Sequence, residues 1–219
     1  ADGSLRKGLE TFYSALNGSS WNRHDNWCTD APLFEWYGIK AGSVVSKAIF
    51  GDDGFAYFGT DDRWTMDLAG NNMRGRIPDA FWKACGCFES IRICNEYLPD
   101  SSFPDYVWNE NLLSVDLSMS FMNVSLTSIA QATNIQSLSL QACKVSGIPA
   151  GITSCRYLRE LNLRECGISG TLPQNLGSLS SLAVLLLEPA AAVRGERRLH
   201  ARELRGGERR LRAAGRLEE

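Results

Sequence analysis

Six apolar-x-apolar triplets recur through the middle of the chain: Met66-Asp67-Leu68, Ile91-Arg92-Ile93, Val115-Asp116-Leu117, Leu138-Ser139-Leu140, Leu161-Asn162-Leu163 and Leu185-Leu186-Leu187. Their last positions are separated by 25, 24, 23, 23 and 24 residues. Alternation puts the two apolar side chains of each triplet on one side and the middle residue on the other, as in a short strand. One strand and one return segment cannot bury an apolar face alone, so successive units must stack and share a core. The expected architecture is an α/β solenoid over residues 64–187, with about five repeats of 23–25 residues. It has a curved parallel β-sheet on its concave side and an irregular, 3-10-containing convex side.

The return segments carry a second signature. It is clearest in Cys166-Gly167-Ile168-Ser169-Gly170-Thr171-Leu172-Pro173-Gln174-Asn175-Leu176-Gly177 and in Asn71-Asn72-Met73-Arg74-Gly75-Arg76-Ile77-Pro78. From Trp64 to Leu187 the chain resembles plant-type leucine-rich-repeat proteins, with their L-x-G-x-I-P returns, a subclass found in plant receptor ectodomains and in protist surface proteins that include a trypanosomatid surface-antigen family. The resemblance implies a buried Asn in each turn that satisfies neighbouring backbone groups. Here Asn71 obeys, while Glu96, Ser120, Cys143, Cys166 and Ala190 hold the other places. Val124-Ser125-Leu126-Thr127 lacks the Gly and Pro, Gly147-Ile148-Pro149 is one residue short, and Ser101-Ser102-Phe103-Pro104 is one residue long. These departures predict local distortion in the middle of the array.

Residues 1–63 read as a cap. Leu5, Leu9, Phe12, Tyr13 and Leu16 form one face of a helix that Asn17-Gly18 stops. Trp21, Trp27-Cys28 and Trp36-Tyr37-Gly38-Ile39 resemble the amino-terminal cap of plant-type repeats. Such caps often close with a Cys pair, but Lys40 follows Ile39 and Cys28 has no evident partner, so no cap disulfide is expected. Val44–Phe50 and Phe55–Phe58 flank Gly51-Asp52-Asp53-Gly54, a hairpin signal read as an extension of the cap sheet. Residues 188–219 change vocabulary to Arg, Ala, Gly, Leu and Glu, with nine Arg against six acids and no aromatic residue. Two readings stand for this tail: a solvated or weakly helical segment, or a gene read in a shifted frame after the last strand.

Several function classes find no support. A net charge of −2 and a tail without aromatics or Lys leave no electrostatic footprint for nucleic acid. No run approaches the roughly 18 apolar residues of a membrane span, and no leader of charged and then apolar residues precedes Ala1. The two histidines, His24 and His200, lie in a cap loop and in the tail, without a nucleophile beside either. No catalytic residue, cofactor or metal site is therefore expected; Cys85-Gly86-Cys87 with Cys94 is too tightly spaced for zinc and lacks a fourth ligand. Seven cysteines leave at least one unpaired within the chain. Cys85 or Cys87 pairs with Cys94 or Cys28 in an oxidising compartment, or all pack as thiols in a reducing one.

A binding surface remains. The middle residues of the triplets, Asp67, Arg92, Asp116, Ser139, Asn162 and Leu186, form one concave column. Ala69, Cys94, Ser118, Gln141, Arg164 and Glu188 form a second, and Gly70, Asn95, Met119, Ala142, Glu165 and Pro189 a third. Asp67, Arg92, Asp116, Gln141, Asn162, Arg164 and Glu165 are the candidate contacts for a protein or peptide ligand. Asp67, Arg92 and Asp116 can equally pair with one another, and Arg164, Glu165 and Glu160 form a second charged group. Asn17-Gly18-Ser19 and Asn123-Val124-Ser125 are N-glycosylation acceptors in a secreted chain. The expectation is a non-enzymatic recognition module of the cell surface or exterior, with a cytosolic scaffold as the alternative.

Overall fold

A computed structural model describes residues 2–41, 48–50, 56–58, 63–169 and 171–187. The chain opens with helix α1 (Asp2–Ala15), strands β1 (Ile39–Ala41), β2 (Ala48–Phe50), β3 (Ala56–Phe58) and β4 (Trp64–Asp67), and helix α2 (Asp79–Ala84). There follow β5 (Phe88–Arg92), β6 (Ser102–Phe103), β7 (Ser114–Asp116) and β8 (Asn123–Val124). The last strands are β9 (Ser137–Ser139), β10 (Lys144–Val145), β11 (Glu160–Leu163) and β12 (Val184–Leu187).

The triplets stack in register. Met66, Ile91, Val115, Leu138, Leu161 and Leu185 are successive partners across one sheet of order β1-β4-β5-β7-β9-β11-β12. All its pairings are parallel except β1 with β4, where the cap closes the sheet with an antiparallel strand. The apolar pair of each of the first five turns is buried: Met66/Leu68, Ile91/Ile93, Val115/Leu117, Leu138/Leu140 and Leu161/Leu163. The one register shift in this sheet falls between Trp64 and Thr65, beside the cap, and not in the middle of the array. The irregular returns absorb their extra or missing residues without disturbing the strands.

They also do more than wander. β10, β8 and β6 form a second parallel sheet, with Ser102, Asn123 and Lys144 paired in one row and Phe103, Val124 and Val145 in the next. The first row is exposed and the second is buried. The returns thus carry a second short sheet beside their expected 3-10 turns. A two-residue strand has no period for a sequence reading to detect.

The ladder positions are buried whatever residue holds them. Asn71 accepts from Arg23 N–H at 2.8 Å and donates to Arg23 C=O at 2.8 Å, which ties the first turn to the cap. Glu96 accepts from Met73 N–H at 2.6 Å and from Asn71 N–H, so a carboxylate serves where an amide is usual. Ser120 Oγ lies 3.5 Å from Cys143 Sγ. The Cys143 and Cys166 thiols donate to Leu117 C=O at 3.1 Å and Leu140 C=O at 3.0 Å. Glu96, Cys143 and Cys166 thus bond to backbone of the preceding turn and Asn71 to backbone of the cap, which meets the requirement that buried backbone groups be paired, while Ser120 meets the thiol of the following turn. Ala190 lies outside the described residues.

The cap is continuous with this core. Leu5, Leu9, Phe12 and Leu16 of the α1 face are buried, and Phe12 lies 4.3 Å from Phe81 of α2, ring centre to ring centre. The indoles of Trp21, Trp27 and Trp36 are buried with their N–H groups donated to Leu16, Tyr37 and Ala31 C=O at 2.9, 2.9 and 3.2 Å. Arg6 stacks over Trp36 at 5.1 Å and donates to Thr29 and Ala31 C=O. β2 and β3 pair antiparallel through Ile49 and Tyr57 as a sheet of their own, and not as an extension of the cap sheet.

Gly38 is where cap meets array. Its φ is +78°, and a Cβ there would stand 2.3 Å from Asp67 O. Gly38→Ala is expected to destabilise the fold by about 2–4 kcal/mol through left-handed strain plus collision with β4. Urea unfolding of the two proteins measures it, and an unchanged midpoint would refute the close approach.

Candidate binding face

The register that buries one side of each triplet turns the middle residues outward and brings distant positions into contact. Arg92 sits between two carboxylates, with Nη1 3.1 Å from Asp67 Oδ2 and Nε 3.4 Å from Asp116 Oδ2. Asp116 also accepts from Ser118 N–H at 3.0 Å and from its hydroxyl. Toward the other end, Gln141 donates to Glu165 at 3.0 Å, and Asn162 donates to Ser139 Oγ at 3.2 Å while accepting from Arg164 N–H at 3.3 Å. Asn162 is only 9% exposed and is part of the face's framework. Glu160 lies within 3.5 Å of Ser137 Oγ, and no ion pair joins Arg164 to Glu160 or Glu165 among the described residues.

One concave position expected from alternation is wrong. Cys94 is buried, because β5 ends at Arg92 and the chain then turns through Asn95 at φ +58°. Burial pushes its thiol up to about 11, with Asp116 adding to the effect, so it is protonated at neutral pH. Cys28, Cys85, Cys143 and Cys155 are also free thiols, and the Cys87 thiol donates to Ala84 C=O at 3.8 Å. The possible pairs among Cys28, Cys85, Cys87 and Cys94 are thus not formed. His24 is exposed in the cap, and His200 lies outside the described residues. Both glycosylation acceptors are exposed: Asn17 ends α1 at φ +56°, and Asn123 opens β8.

The sequence reading missed a site on the rim, where the chain leaves the concave strands. Gly70, Asn95, Met119, Ala142 and Glu165 occupy one left-handed column, φ +58° to +61°. Two residues on, Asn72, Phe121 and Gly167 are left-handed as well. Asn and Gly tolerate that conformation, whereas Met119, Ala142, Glu165 and Phe121 each carry about 1–2 kcal/mol of strain there. Met119 and Phe121 line a depression of about 350 Å³ together with Tyr97, Arg74, Asn72 and Asn95, floored by Glu96 and Met73. The signal was present in the sequence as two aromatics, Tyr97 and Phe121, at an offset that Asn72, Lys144 and Gly167 hold in the other turns.

A leucine-rich-repeat family model matches residues 157–179, the return and strand around β11. The chain has the leucine-rich-repeat solenoid fold. It is similar to a chain of the BIR3–SERK2 complex from Arabidopsis thaliana, at 23% identity and TM-score 0.56 over 81% of this chain and 88% of that one. The HAESA receptor-kinase ectodomain from Arabidopsis, solved with an IDA peptide hormone, is similar at 20% identity and TM-score 0.51, over 84% of this chain and 33% of that one. A plant ice-binding protein is similar at 16% identity and TM-score 0.62, over 85% of this chain and 55% of that one. No curated protein matches. These neighbours share the fold, yet one is an ice-binding protein and another a peptide-hormone receptor, so the site must carry the functional argument.

Two measurements separate framework from surface in the solenoid. Arg92 is half-exposed, and exposed ion pairs contribute little, so Arg92→Ala is expected to change unfolding free energy by less than about 1 kcal/mol. A larger loss in chemical denaturation would make the Asp67–Arg92–Asp116 group structural. Glu96 behaves differently: burial pushes its carboxyl up, against the pull of the Asn71 and Met73 N–H groups. A raised folded pKa adds stability below the unfolded value of about 4.3, and that stability is lost as pH rises through the folded value. The stability of the parent relative to Glu96→Gln should therefore fall as pH rises above about 4. A pH-independent difference in thermal midpoint would overturn this assignment.

Proposed function

We propose that this solenoid is a non-catalytic module that grips a protein or peptide on its concave face, outside the cell or at its surface. The observation that carries the reading is the open face itself: Asp67, Arg92, Asp116, Gln141, Arg164 and Glu165 present both charges and amides across adjacent parallel strands. Neighbouring strands stand about 4.8 Å apart, so an extended segment crossing them meets a new polar row at each step. Small residues at Ala69, Ser118 and Ser139 leave room for its backbone. The BIR3–SERK2 and HAESA–IDA complexes are consistent with this reading, since one joins a chain of this fold to a protein and the other to a peptide hormone.

Exposure of Asn17 and Asn123 supports an extracellular setting, and no helix among the described residues is long and apolar enough to cross a membrane. Five free thiols favour the cytosolic scaffold as the second reading. Selection of a displayed random-peptide library on the full chain tests the binding role. Selected peptides should lose at least tenfold in affinity by calorimetry when Arg92 and Arg164 are both changed to Ala. Failure to select any peptide would remove the concave-face reading. Intact mass after expression through a secretory pathway tests the setting: a loss on enzymatic deglycosylation supports it, and an unmodified chain favours the scaffold.

A further inference from the structure

The rim depression has a composition unlike the concave face beside it. Tyr97 is 62% exposed and Met119 38%, and the Tyr97 ring centre lies 5.5 Å from that of half-buried Phe121. Three large apolar groups thus form a partly exposed wall beside the polar concave face. Two of the three are held in the left-handed conformation, which opposes a bulky side chain. At the offset of Phe121 the other left-handed residues are Asn72 and Gly167, so the fold itself makes no demand for an aromatic there. Strain retained where an unstrained residue would serve is a pointer to function.

The polar side of the depression is just as one-sided. Arg74 adjoins Tyr97 through a parallel bridge, is exposed, and makes no ion pair among the described residues. Glu96 lies beneath, but its two oxygens are turned onto the N–H groups of Asn71 and Met73. An apolar wall beside an unmatched guanidinium is complementary to one kind of occupant. We infer that this depression is an anchoring pocket for a partner protein segment, taking an aromatic or large aliphatic side chain against Tyr97, Met119 and Phe121 while Arg74 holds an adjoining carboxylate. A planar guanidinium suits a carboxylate through paired N–H donors, and about 350 Å³ accommodates one such side chain with its acid. The inference rests on the protein-binding reading and adds to it the chemistry of the anchor and its place on the rim.

The probe is 3-(4-fluorophenyl)propionate, an aromatic carboxylate, observed by fluorine NMR with the full chain. Saturable line broadening is expected at millimolar concentration, with at least tenfold weaker binding for the matching amine, 2-(4-fluorophenyl)ethylamine. Phe121→Asn and Arg74→Glu should each weaken the acid at least tenfold, while Arg92→Ala on the concave face leaves it unchanged. Phe121→Asn places at 121 the residue that Asn72 already shows to be compatible with the backbone, and its thermal midpoint should not fall. Arg74→Glu alters only an exposed side chain and gives a second variant that keeps the fold. Absence of broadening, equal binding of acid and amine, or equal binding by both rim variants would overturn the inference. Peptide selection on the concave face would still stand in that event, and failure of selection with retained rim binding would remove only the concave reading.

Discussion

Each turn of this protein relies on its predecessor for hydrogen-bond partners and for the floor under its apolar pair. Val115 is a strand only because Ile91 lies on one side and Leu138 on the other. The parallel pairing sets the register, the register sets which side chains are buried, and everything on the concave face follows from that alignment. Breaking it at one turn would expose the neighbouring layers, which is why the ladder side chains and the cap matter more than their number suggests.

The ladder shows that the constraint is geometric before it is chemical. An amide, a carboxylate, a hydroxyl and two thiols all occupy equivalent buried places, and four of the five make a hydrogen bond to backbone of the preceding turn or the cap, Ser120 meeting the Cys143 thiol instead. What the place requires is a compact polar atom able to meet an otherwise unpaired backbone group. Glu96 meets the requirement as an acceptor only, and its environment is the one ladder position with a titrating group that the turns on either side do not share. The cap solves the same problem for the first layer with three indole N–H donors and an antiparallel strand.

The face and the rim divide the polar and apolar work. Along the concave strands the charged residues are largely matched within the protein, Arg92 by two carboxylates and Glu165 by Gln141, so a ligand would exchange partners there and gain register more than affinity. At the rim the apolar wall and Arg74 have no such match among the described residues. A ligand that spans both would draw orientation from the face and burial from the rim, the usual division between polar contacts and anchor residues in an interface.

The spacing of the six triplets determined the strand register and the single shared core, and it set Arg92 between Asp67 and Asp116 while leaving open whether they pair or await a ligand. Those features recur every 23 to 25 residues, so local alternation and the period suffice to place them. Only the tertiary structure decided what happens between the strands. The six residues of α2 and the two-residue strands β6, β8 and β10 are too short for any period, and they form because α1 and the adjoining turns bury them. Cys94 turned inward and Phe121 outward because the backbone passes through left-handed residues after each strand, where alternation no longer predicts the side a residue faces.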